Sequence, residues 1–213
     1  DDSGRCGKYG GLYQWPAAVA LASSYLTTAA ALSGTIQGVC PCGWHLPTKS
    51  EFETLRTNAT CDYNGSTITT SNTTLTTTNN VTKTLSTGYC LKSASTDIAG
   101  WDDIIGGGCG SDAYGWRGLP AGGRYPTGYT GDNKTGTLTA PGYAWGVVDS
   151  MKKGFRGMWW TSTQTTDSNS ATMAYYADLS DDSWSLTVMT SATGPHPGTS
   201  DKEQGLSVRC VQD

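Results

Sequence analysis

Cys40-Pro41-Cys42-Gly43-Trp44-His45-Leu46-Pro47-Thr48, taken with Gly205-Leu206-Ser207-Val208-Arg209-Cys210, decides how this chain is read. The first stretch leads into a helix and the second is a strand tipped by a cysteine, so together they suggest a fold whose two ends meet. Thr48-Lys49-Ser50-Glu51 has capping-box spacing: the Thr48 hydroxyl and the Glu51 carboxylate can satisfy amides that a new helix leaves unpaired. A short helix over about Lys49 to Arg56 is expected to follow.

Composition narrows the class. Of 213 residues only 15% are charged, against about 25% in ordinary soluble domains. With 28 Gly, 8 Trp, 11 Tyr and only 2 Phe, the chain reads as rich in loops and strands, with amphipathic aromatics in place of an aliphatic core. A net charge of −4 and a pI near 5.0 offer no footprint for nucleic acid. No basic run suits an anionic membrane surface, and no apolar run is long enough to span a bilayer. Any export signal or anchor is expected to lie outside these residues. The seven cysteines, Cys6, Cys40, Cys42, Cys61, Cys90, Cys109 and Cys210, lack a two-plus-two zinc spacing and favour disulfides in an oxidising, extracellular setting. Their odd number implies a free thiol, an intermolecular bridge or a partner upstream of Asp1.

Outward from the opening motif, Trp15 to Leu26 reads as a helix with proline in its first turn. Residues from about 57 to 89 shift to Thr, Asn and Ser and hold too few apolar side chains for a core of their own. Cys61 and Cys90 flank this stretch, and a bridge between them would close a loop worth roughly 3 to 4 kcal/mol in the chain-entropy model. Thr67-Ile68-Thr69 and Thr73-Thr74-Leu75-Thr76 suggest a thin hairpin inside it. Asn58, Asn64, Asn72, Asn80 and Asn133 each begin Asn-x-Ser/Thr and are glycosylation candidates; Asp62-Tyr63-Asn64-Gly65-Ser66 also resembles an acidic-extended bacterial acceptor. From Gly100 to Gly157, glycine, tyrosine and tryptophan recur without period, as in a long ordered loop region. Strands are expected at Gly157 to Thr163, Ala171 to Leu179, Ser183 to Met189 and Leu206 to Val211. Asp181-Asp182 would turn the middle pair, and Gly194 to Gly198 would form a loop before the last.

Tyr9-Gly-Gly-Leu-Tyr-Gln-Trp15, the Cys-Pro-x-Gly-Trp-His-Leu-Pro-Thr motif, Leu91-Lys92-Ser93, Gly115-Trp116-Arg117-Gly118-Leu119-Pro120-Ala121-Gly122-Gly123-Arg124, Trp160-Thr-Ser-Thr163 and Gly205-x-Ser-Val-Arg-Cys210 follow one another in that order. The series resembles the Fibrobacter succinogenes major paralogous domain family over roughly Cys6 to Asp213. The resemblance implies an α+β, C-type-lectin-like fold related to the formylglycine-generating enzymes. Its expected parts are two short helices, a small twisted antiparallel sheet, long ordered loops and disulfides. Residues 1–213 would form a single domain, with the Thr/Asn-rich stretch at about 57–89 as an insertion. The resemblance also implies a Cys40–Cys210 bridge, leaving the pairing of Cys6, Cys42 and Cys109 open. Domains of this family often form the exposed part of pilin-like or other surface proteins. The expected role is therefore a non-enzymatic secreted or cell-surface bacterial protein, the exposed domain of a pilin-like or extracellular filament subunit. A carbohydrate- or protein-binding adhesin module is the alternative. Expected partners are further copies of the chain or other surface proteins, with glycans as a further class.

Each candidate site has a plain structural role beside its chemical one. Cys40-Pro-Cys42-x-x-His45 could supply three ligands of a zinc site, but a disulfide from Cys40 or Cys42 to Cys210 with His45 packed at the helix start is the favoured reading. Cys109, in a glycine-rich run, lacks the second cysteine of a formylglycine-type enzyme. His45 and His196, the chain's two histidines, sit in no nucleophile motif. The acidic pairs Asp102-Asp103 and Asp181-Asp182, with Asp132-Asn133 and Asp167, read as solvated turns rather than calcium ligands, so no metal or cofactor is expected. Trp101, Tyr114, Trp116, Tyr125, Tyr129, Tyr143 and Trp145 are the candidate binding surface, their competing role being to brace loops. Trp159 and Trp160 should be split, one facing the core and one the surface.

Overall fold

Strand alternation places Trp159 and Trp160 on opposite faces of one strand, and both are buried, at 5% and 0% exposure. The computed structural model describes residues 7, 9–71, 73–76, 82–94, 101, 110–124, 156–166, 171–180, 186–188 and 199–213. Within these, β6 (Arg156–Gln164) pairs antiparallel with β7 (Met173–Ser180), in register Trp159 to Ala177 and Trp160 to Tyr176. β8 (Leu186–Val188) and β9 (Thr199–Asp201) each pair antiparallel with β7. One face of this sheet carries Met158, Trp160, Ala174 and Tyr176 against Trp15, Leu46 and Leu206. The other carries Trp159, Ala177 and Leu179 against Phe52, Leu91 and Trp101. The expectation of one outward-facing tryptophan is thereby corrected: a layer covers each face, so alternation yields two cores.

The first layer begins with helix α1 (Trp15–Ala18), which is far shorter than the expected Trp15 to Leu26. The Ala18 carbonyl accepts the Val39 amide at 3.0 Å instead of continuing the helical ladder, and Ala20 turns left-handed at φ 59°. A 3₁₀ turn, η1 (Ser23–Leu26), is all that remains of the helical pattern beyond it. Gly38 makes this capture possible: at φ +57° it lies where a Cβ would meet the Ala18 carbonyl oxygen at 2.1 Å. The Trp15 indole donates to the Thr161 carbonyl at 2.9 Å and the Trp160 indole to the Tyr13 carbonyl at 2.6 Å. Lys202, fully buried, holds its ammonium 4.7 Å over the Trp15 ring. That ammonium donates to the Thr28 and Ala171 carbonyls and the Gln164 amide oxygen at 3.1, 3.1 and 3.2 Å. Burial pushes its pKa down to about 8.

The second layer is α2 (Lys49–Asn58), which runs two residues past the expected end and buries Phe52. The expected final strand, Leu206 to Val211, is a ribbon of single bridges rather than a regular strand. Leu206 pairs antiparallel with Tyr13, and Ser207 pairs parallel with Trp159. Two-residue strands then close the ends, β1 (Trp44–His45) against β10 (Val211–Gln212). The Cys40–Cys210 disulfide locks that closure across 170 residues of sequence.

The Thr/Asn-rich stretch forms two hairpins, β2 (Cys61–Tyr63) with β3 (Ser66–Ile68) and β4 (Thr73–Thr76) with β5 (Thr82–Leu85). The expected pairing of Thr67–Thr69 with Thr73–Thr76 does not form, because Asn64 and Gly65, both left-handed at φ 51° and 81°, turn the chain earlier. Helix α3 (Thr87–Leu91) follows. The Cys61–Cys90 disulfide gathers Ile68 and Leu85 into a small buried cluster flanked by Tyr63 and Tyr89, whose rings meet edge-on at 5.2 Å. The stretch thus has the core its composition argued against, built around a covalent bond. The described residues form an α+β arrangement of few, short helices, small antiparallel sheets and two disulfides. Most of Gly100 to Gly157, Asp181-Asp182 and Gly194 to Gly198 lie outside them.

Gly38→Ala should destabilise the domain by at least about 2 kcal/mol, since it combines a left-handed backbone with a clash against a carbonyl. Gly43→Ala, also left-handed at φ +75° but with nothing within 4 Å of the added carbon, should cost about 1 to 2 kcal/mol. Denaturant unfolding of the two variants checks the order; equal losses would contradict the Ala18 contact.

Candidate binding groove

Thr48 and Glu51 form the capping box in full. The Thr48 hydroxyl accepts the Glu51 amide at 3.2 Å, and the Thr48 amide donates to Glu51 Oε2 at 2.7 Å. Glu51 Oε1 lies 2.8 Å from His45 Nε2, and His45 Nδ1 lies 2.6 Å from Asp213 Oδ1. To donate from both nitrogens the imidazole must be protonated. Its pKa is accordingly raised above 6.5, first by the Glu51 hydrogen bond and also by Asp213, with burial opposing. Burial alone would raise Glu51, but hydrogen bonds from the Thr48 amide, His45 and the Thr48 hydroxyl outweigh it and bring its pKa below 4.5. A protonated histidine therefore fastens the start of α2 to the end of the chain.

Beside this clamp runs a groove of about 810 Å³ between α2, β10 and the turn at Tyr114–Trp116. Its size falls in the range of about 300 to 1,000 Å³ usual for small-molecule sites. Trp44 and Val211 line one side, each 39% exposed, and Tyr114 lines another, 52% exposed. Val39 is the remaining exposed large hydrophobic among the described residues, so most of that surface gathers here. The Tyr114 ring is anchored: its hydroxyl donates to the Thr60 carbonyl at 2.7 Å and accepts the Thr60 amide at 2.8 Å. Asp112 and Arg117, both left-handed at φ 48°, bend the loop that presents it, and Asp112 Oδ1 accepts the Arg117 amide at 2.7 Å. Trp116 stacks edge-on against Trp159 at 4.6 Å, while the Arg209 guanidinium lies 5.3 Å over its ring and donates to its carbonyl. Burial lowers the Arg209 pKa, with nearby Asp112 acting in the opposite direction and Arg117 adding to the lowering.

Of the aromatic candidates, Tyr114 and Trp116 do meet in this groove. Trp101 does not join them: it is 5% exposed, its indole donates to the Gly118 carbonyl at 2.9 Å, and the Lys92 ammonium lies 4.6 Å over its ring. It braces the second core and offers no surface. Tyr125, Tyr129, Tyr143 and Trp145 lie outside the described residues. Among the sequons, Asn58 at the end of α2 and Asn64 in the β2–β3 turn are exposed, while Asn72, Asn80 and Asn133 lie outside. Trp44, Arg209 and Val211 were not singled out as site residues. The signal for Trp44 was available, since it neighbours buried His45 on a strand and must face the other way. The zinc set is dismantled: Cys40 is bridged to Cys210 and both His45 nitrogens hold carboxylates, leaving exposed Cys42 as a free thiol.

The family model described as Fibrobacter succinogenes major domain matches residues 2–212. No curated protein and no solved structure matches the chain.

The clamp gives stability a two-sided pH dependence. The His45 contribution is complete below its ordinary 6.5 and is lost as pH rises through its raised folded value. The Glu51 contribution is complete above its ordinary 4.5 and is lost as pH falls through its lowered folded value. Melting temperature should therefore peak between these limits, and His45→Gln should abolish the alkaline limb while leaving part of the acid limb, which the Thr48 amide and hydroxyl still support. Parallel pH profiles for the two proteins would remove the clamp from the account.

Proposed function

The chain belongs to the Fibrobacter succinogenes major domain family, and from that membership and the geometry we propose a non-enzymatic role at the bacterial cell surface, as the exposed domain of a pilin-like or other extracellular filament subunit. The scaffold is of the C-type-lectin-like kind. The observation that carries the reading is the arm at residues 61–90. Its two hairpins each form a separate two-stranded sheet, and a disulfide ties its base. Narrow, threonine-rich sheets of this kind leave strand edges for another chain to pair with, so the arm is the contact by which one subunit meets the next. Two disulfides suit an oxidising location outside the cell. Among the described residues no helix is long and apolar enough to cross a membrane. Exposed Asn58 and Asn64 are acceptors for glycans on this outer surface. A second reading, a binding module of the adhesin type, is favoured by the groove around Tyr114 and Trp44.

Protein from its native source should sediment as concentration-dependent assemblies, show regular filaments by electron microscopy, and exceed its sequence mass by the mass of attached glycan. An unmodified monomer at every concentration would overturn the subunit reading.

A further inference from the structure

We infer that the groove beside α2 is a binding site for a carboxylated glycan, with Arg209 as the anchor for the sugar carboxylate and Trp44 and Tyr114 as platforms for the sugar rings. The inference rests on the binding-module reading and gives it a ligand class.

Charge points to an acid. A guanidinium offers five N–H donors in a planar fork suited to a carboxylate. Arg209 gives one of them to the Trp116 carbonyl and lays its face on the Trp116 ring. Its hydrogen bond and ring contact are thus with neutral groups, Asp112 acts on it only electrostatically, and the side chain is half-buried. A cation desolvated in this way gains from an anion brought to it. The groove's own carboxylate cannot play that part. Both oxygens of Glu51 are engaged, one by His45 and the other by the Thr48 amide and hydroxyl. Asp112, close enough to act on Arg209 electrostatically, directs Oδ1 to the Arg117 amide. Among the described residues Arg209 is the one cationic side chain in the groove's lining, and its remaining N–H donors are what the groove offers an anion.

The rings point to a sugar. Trp116 is covered by Trp159 and by Arg209, so it supports the anchor and is not a platform. Trp44 and Tyr114 remain about half exposed, and Tyr114 is held by its hydroxyl at both a carbonyl and an amide. A ring fixed before binding costs little further entropy, and its flat face suits the C–H face of a pyranose. Exposed Thr54 and Gln212 in the same lining supply polar partners for hydroxyls.

The test is calorimetric titration of the full chain, with tryptophan fluorescence in parallel, using hexagalacturonate, its fully methyl-esterified form and a hexa-aspartate peptide. Hexagalacturonate should bind saturably at one site and at least about tenfold more tightly than the ester, the scale of a charge-assisted hydrogen bond. Trp44→Ala, at an exposed position, should keep the fold and lose most of the affinity, and Arg209→Gln should abolish the preference for acid over ester. Equal binding of acid and ester would overturn the carboxylate anchor and leave the binding-module reading standing. Binding of neither sugar would overturn the glycan assignment and leave the binding-module reading in its protein-binding form. Binding of hexa-aspartate as tight as that of hexagalacturonate would make the groove a site for acidic peptides and overturn the glycan assignment.

Discussion

The burial of β6 on both faces is the constraint from which the rest of this structure follows. A strand with a tryptophan on each side needs two cores, and a chain with few aliphatic residues must assemble them from distant parts. Trp160 is covered by α1, Leu46 and Leu206, while Trp159 is covered by α2 and Trp116. Each cover brings a different part of the chain to the sheet. The Gly205–Ser207 ribbon can reach only one position, beside β6 and against Tyr13. Once it lies there, Cys210 is delivered to Cys40 and the last residues to β1.

The groove is a product of that closure. Its three sides come from α2, from the terminal strand and from the loop that lays Trp116 on Trp159, and none is adjacent in sequence to the others. Arg209 belongs to both systems: it is the residue before the bridging cysteine, and its guanidinium lies on the ring that caps the second core. Site and scaffold therefore share side chains.

What the sequence disclosed followed the range of the forces involved. The capping box at Thr48 is a local rule and was legible to the atom, as was the alternation along β6. The helix at Trp15 was over-read because its end is set by the Val39 amide, a tertiary contact that propensity does not see. Trp101 reads as a surface aromatic until the Gly118 carbonyl accepts its indole. His45 was placed correctly at the helix start, but its second carboxylate, Asp213, lies 168 residues away. Lys202 gave no signal at all, since a lysine among polar neighbours is ordinarily solvent-exposed. The Thr/Asn-rich stretch reads as coreless when its apolar residues are counted, a measure that leaves out what one covalent bond does to the entropy of the rest.

The bridge between Cys40 and Cys210 also has a mechanical meaning. It joins two points 170 residues apart in sequence but 5.8 Å apart in space. Tension applied along the chain from outside crosses that bond, so the sheet and the hairpins between Cys40 and Cys210 are spared, while the segment before Cys40, which brings Trp15 to the first core, carries the load. Segments outside the bridged loop, α1 among them, are what can lengthen under load. The bridged part of a domain wired in this way resists extension, and the groove, most of whose lining lies between Cys40 and Cys210, is shielded from a pull on the ends.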